Sequence, residues 1–84
     1  MSLPSNLRIL HTQSLAHNKQ HVSIQVTFEG QAYAGSVEMH WQPDGALVCG
    51  LHGGIAKRLE DMSQAEVIAD IIIEATVEEL MAYA

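Results

Sequence analysis

The sequence predicts an α+β fold: an antiparallel β-meander of three or four strands with one long C-terminal helix packed on one face. Three observations carry that prediction. Val22 to Phe28 alternates apolar and polar residues, as a half-buried strand does. Gly30 and Gln42-Pro43-Asp44-Gly45 supply turn chemistry on either side of a second alternating stretch, Tyr33 to Trp41. Met62 to Leu80 then changes to helical spacing.

The first segment, Leu7-Arg8-Ile9-Leu10-His11-Thr12-Gln13-Ser14-Leu15, has two readings. It is a first strand ending at the His17-Asn18-Lys19-Gln20 turn, or a short helix with Leu7, Leu10, Ser14 and Leu15 on one side. The strand is preferred.

For the next hairpin, a type II′ loop with Gly30 first and Gln31 second sets the register. It pairs Phe28 with Tyr33, Val26 with Gly35, Ile24 with Val37 and Val22 with Met39. The second hairpin, a type I turn followed by Gly45, pairs Trp41 with Leu47, Met39 with Cys49 and Val37 with Leu51. A slip of one residue puts Glu38 and His40 against Leu47 and Cys49, which burial forbids. The expected helix-facing set is Val22, Ile24, Val26, Phe28, Val37, Met39, Trp41, Leu47, Cys49 and Leu51. Gly53-Gly54 ends the sheet, and Ile55 to Asp61 reads as a connector, with one helical turn as the alternative.

The final helix opens with Ser63 and Glu66 spaced as a capping box, bracketed by Met62 and Val67 as a hydrophobic staple. Its apolar residues do not fit one stripe. Val67, Ile68, Ile71, Ile72 and Ala75 form one face; Ala69, Ile73, Val77 and Leu80 form a second. Asp70, Glu74 and Glu78 make the polar stripe. A helix apolar on so much of its circumference is buried on more than one side. The second face is therefore the expected protein interface, with a homodimer as its first partner and another protein as the alternative. No Lys or Arg complements the dipole at the helix end, so Tyr83 and Ala84 are expected to fray.

Composition narrows the function classes. The 84 residues make one domain, 1–84, with 48% hydrophobic residues, too many for a disordered chain. Ten acidic residues against four basic ones give a net charge of −6. Four scattered cations cannot track a phosphate backbone, and the acidity disfavours an anionic bilayer, so neither nucleic acid nor membrane is an expected partner. The longest run of branched apolar residues, Ile71-Ile72-Ile73, is far short of a membrane span, and the first residues lack a signal-peptide pattern. A single cysteine forms no internal disulfide and fits a reducing cytoplasm.

Five histidines invite a metal reading. Cys49 and His52, three apart on a strand, point to opposite faces and cannot share an ion. In the Gly30-Gln31 register His21 lies opposite His40, and a turn at Asn18 to Gln20 adds His17 to the row. No known metal spacing accompanies that row, and no cofactor is expected. The outer sheet face is otherwise small and weakly polar, and His21, Glu38 and His40 are its candidate contact residues. Ser36 beside His52 lacks a third group to orient a base, and Ser63 is taken by capping. Gly50, Gly53 and Gly54 lack phosphate-loop spacing. With no catalytic constellation, the sequence reads as a non-enzymatic, protein-binding regulator or inhibitor. The alternatives are a ligand- or metal-binding protein using the histidine face, and an accessory subunit of a larger complex.

Overall fold

The computed structural model describes residues 3–82. Four strands, β1 (Ser5–Ala16), β2 (Lys19–Phe28), β3 (Gln31–Trp41) and β4 (Leu47–His52), precede helices α1 (Gly54–Leu59) and α2 (Ala65–Ala82). The sheet is antiparallel in the order β1-β2-β3-β4, so each strand pairs with its neighbour in sequence. Both helices lie on one face of it. The expected α+β meander with a C-terminal helix is the observed architecture, and the N-terminal segment is a strand.

Alternation dictates the core. Val22, Ile24, Val26, Phe28, Val37 and Met39 point to the helices and are buried, with Leu7, Ile9, Cys49 and Leu51 packed partly buried around them. Trp41 and Leu47 share this side but stay more than a third exposed, because they line an open groove with Val77, Leu80 and Met81 of α2.

The β3–β4 register agrees with expectation: Trp41 opposes Leu47, Met39 opposes Cys49, and Val37 opposes Leu51. Gly45 donates its N–H to Gln42 O at 2.9 Å and takes a φ of 92°, the left-handed position that follows a type I turn.

The β2–β3 register differs by two residues. Phe28 opposes Gln31, Val26 opposes Tyr33, Ile24 opposes Gly35, and Val22 opposes Val37. The loop is Glu29-Gly30, with φ of 52° and 78°, both positive as a type I′ turn requires. A shift of two leaves every side chain on its face, so the hydrophobic pattern cannot tell the two registers apart. Four contacts accompany the left-handed Glu29 in this register. Its carboxylate pairs with Arg58, which also lies over the Phe28 ring at 5.7 Å. His21 comes to face Glu38. The Asn18 carbonyl accepts the Trp41 N–H at 2.9 Å, extending the ladder by one rung.

The expected connector is a helix with core residues. Ile55 and Leu59 of α1 are buried. The chain reaches α1 by crossing close over β3: a Cβ on Gly53 would lie 2.8 Å from Gly35 Cα, and Gly53 has a φ of 96°.

Helix α2 begins at Ala65, one residue later than the capping box implies. Ile68 donates to Gln64 O at 3.0 Å, and Ala65 donates to Met62 O at 3.2 Å in a tight first turn. No side-chain hydrogen bond of Ser63 occurs among the described residues, and Val67 is half exposed, so neither cap nor staple forms. Met62 instead packs on the core. The buried line of α2 is Ile68, Ile72 and Thr76, with Thr76 Oγ1 donating to Ile72 O at 2.8 Å. The two apolar faces read from the sequence are thus flanks of one broad arc centred on the sheet. The expected fraying of Tyr83 and Ala84 lies outside the described residues.

Candidate protein-binding surface

The two flanks of α2 meet different strands. Ile71 and Ala75 look toward the start of β1, where Pro4 and Leu7 line a narrow cleft with them. The other flank faces β4. Ala65 and Ala69 share a hollow with Leu51, and Val77 and Leu80 form one wall of a groove of about 330 Å³. The other lining residues of that groove include Met39, Trp41 and Leu47.

The expected interface residues Ala69, Ile73, Val77 and Leu80 therefore lie along the β4 side of α2. They are partly buried against the core rather than fully in water. The free energy forfeited by leaving them unpartnered is accordingly smaller than for bare side chains, about 1.5–3 kcal/mol each when wholly exposed. Asp70, Glu74 and Glu78 are exposed beyond this flank.

Strand β4 has an open outer edge. Gln42 donates to Ala46 O at 2.7 Å, which makes that pair the first hydrogen-bonded rung of the hairpin. Rungs then alternate, so Val48, Gly50 and His52 bond to β3, while Leu47, Cys49 and Leu51 turn N–H and C=O outward. No described strand pairs with them. The opposite edge, β1, is different: its register shifts three times, between Ser5 and Arg8, Ile9 and His11, and Ser14 and Ala16. Bulges of this kind blunt an edge against further pairing. β4 has no register shift, no proline and no charged residue. Its thiol, Cys49, lies opposite Met39 on the helix side, where partial burial pushes its pKa up.

The histidines fall into different settings. His21 opposes Glu38, not His40, with Nδ1 3.7 Å from Glu38 Oε1. This corrects the expected His21–His40 pair and follows from the two-residue change of register. His17 lies in the β1–β2 turn, and Gln13 takes the place beside His21. His40 opposes Lys19, and both its ring nitrogens meet amides: Asn18 Nδ2 at 3.1 Å from Nε2, and the Gln42 amide at 3.3 Å from Nδ1. A neutral imidazole accepts at one nitrogen and donates at the other. Asn18 Nδ2 also reaches Trp41 O at 3.4 Å, which holds its N–H groups toward Nε2, while the Gln42 amide nitrogen Nε2 is the atom beside Nδ1. Sequence reasoning missed both amides, since Asn18 lies 22 residues from His40.

Among the described residues, no group of three or more His, Cys, Asp or Glu side chains is placed to hold a metal ion. Ser36 opposes His52, but the His52 ring folds toward Gly50, where a Cβ would lie 3.1 Å from Nε2. No described helix is long and apolar enough to cross a membrane. Compared with known proteins, the chain matches no protein family, no curated protein and no solved structure.

Proposed function

We propose that this chain is a non-enzymatic protein-binding module, a small acidic regulator or inhibitor that acts by contact in the cytoplasm. The observation that carries the reading is the continuity of two unsatisfied surfaces. The apolar flank Ala69, Ile73, Val77 and Leu80 borders a strand edge whose outward N–H and C=O groups have no described partner. Apolar side chains and open backbone groups side by side are what a folded protein partner satisfies together. The single thiol suits a reducing compartment.

The test is capture of partners from the native host on the tagged wild-type chain and on Val77→Asp. A captured protein is then purified and titrated into the ¹⁵N-labelled chain. Resonance shifts confined to α2 and β4, absent for Val77→Asp, are expected. A partner that perturbs only the outer sheet face overturns the assignment of the surface. A turnover activity retained by Val77→Asp overturns the non-enzymatic reading.

A further inference from the structure

The open edge of β4 has a self-complementary pattern. Its outward groups belong to Leu47, Cys49 and Leu51, three residues centred on Cys49. An antiparallel copy of the same strand, related by a two-fold axis through Cys49, presents the same groups in the reverse order. Leu47 then meets Leu51 of the second copy, Cys49 meets its own equivalent, and each N–H and C=O finds its complement. On the outer face the half-exposed Val48 falls opposite Gly50 and meets the His52 ring that is folded over it. The strand has no charged residue, so no like charges face each other across the two paired strands although each chain has a net charge of −6.

We infer that this protein forms a two-fold dimer through antiparallel pairing of β4 with β4, joining two four-stranded sheets into one of eight strands. The second copy is the partner these observations select. A charged peptide finds no counter-charge on β4, whereas the strand's own sequence supplies the matching leucines and the complementary run of outward N–H and C=O groups. Closed two-fold pairing also leaves no further β4 edge to recruit a third copy. The outer edges of the dimer are then the two β1 strands, each interrupted by three register shifts that oppose further growth. This proposal rests on the protein-binding reading and names the occupant of the surface beside α2.

Three measurements on the full chain test it. Light scattering after gel filtration is expected to give twice the 9.2 kDa chain mass, falling to one chain mass for Val48→Lys, which puts like charges near the two-fold axis. In wild type, amide exchange at Leu47, Cys49 and Leu51 is slowed, and dilution to the monomer restores fast exchange. Because Cys49 is the sole thiol, a short bis-methanethiosulfonate reagent links two wild-type chains through it. Cys49→Pro removes an outward N–H that no described strand uses, together with the partly buried thiol, and is expected to give a folded monomer. A wild-type monomer at high micromolar concentration overturns the proposal. So does a dimer whose three amides exchange freely and whose thiols do not cross-link. If either result accompanies partner shifts on the α2 flank, the protein-binding reading stands while the β4 dimer falls.

Discussion

Ile55 of α1 rests directly on Gly35 of β3: a Cβ added to Gly35 would lie 2.5 Å from Ile55 Cγ2 and 2.9 Å from His52 O. The absence of a side chain in the middle of β3 lets the chain leave β4, fold back over the sheet and place Ile55 and Leu59 in the core. Gly35→Ala is therefore expected to lower stability by about 1–3 kcal/mol through overpacking. Ile55→Ala alone opens a cavity and costs about 2–5 kcal/mol. The double variant is expected to lose less than the sum, because the small side chain at 55 makes room for the methyl at 35. Urea denaturation of the four proteins measures the coupling; strict additivity removes the contact as the cause.

The Glu29-Gly30 turn holds a glutamate in left-handed conformation, which costs an L-residue about 1–2 kcal/mol. The Glu29–Arg58 pair lies on the surface, both side chains more than a third exposed, and such pairs return about 0–1 kcal/mol. Glu29→Asn, creating the Asn-Gly pair that type I′ turns prefer, is expected to stabilise the protein by up to about 1 kcal/mol. A fall in the thermal midpoint instead means that the lost Arg58 contact outweighs the relief of backbone strain.

At the start of α2, Ser63→Ala is expected to change stability by less than about 0.5 kcal/mol, as for an ordinary surface substitution. A loss near 1 kcal/mol in a denaturant titration restores Ser63 as the cap.

Thr76 closes the buried line of α2 and returns its hydroxyl to Ile72 O. That carbonyl still has its backbone helical donor when the hydroxyl is removed. Thr76→Val is expected to leave the melting temperature unchanged or raise it, whereas Thr76→Ala, which also loses a buried methyl, costs about 1 kcal/mol. A drop of more than about 2 kcal/mol for Thr76→Val, read by calorimetry, assigns the hydroxyl a structural role of its own.

For the histidines, micromolar Zn²⁺ is expected to shift the melting temperatures of wild type and His40→Ala equally. His21 is turned to Glu38, and the His40 ring is held by Asn18 and Gln42. A rise confined to the wild type restores a metal site at His40.

Period-two alternation placed Val22, Ile24, Val26 and Phe28 on the buried face, because side-chain parity is a local property of the chain. It could not separate registers two residues apart, and the local preference for glycine at the first turn position pointed to the wrong one. Arg58, 29 residues away, and Asn18 beneath Trp41 are the contacts that favour the observed turn. Ile55 and Leu59 were legible as apolar residues but not as core, since their burial depends on the bare backbone of Gly35 across the sheet. Thr76 was missed because its polarity is neutralised by its own helix, a local hydrogen bond that an apolar count overlooks. The candidate surface on Ala69, Ile73, Val77 and Leu80 was legible as excess hydrophobicity. Its neighbour, the open edge of β4, was not, because edges are defined only once strand order is known.

The interruptions in β1 also govern how the molecule comes apart. Of its twelve residues only Leu7 and Ile9 are even partly buried; the rest are exposed. Little apolar surface holds this strand beyond its ladder with β2, and its three register shifts weaken that ladder. β1 is consequently expected to be the first element to open in native-state exchange, at a free energy well below that of global unfolding. Each such opening leaves β2 as a transient edge, long and bearing Val22, Ile24 and Val26 on its apolar face. The segment that keeps the native sheet from growing at one side is thus the gate through which strand exchange between molecules, or aggregation, begins.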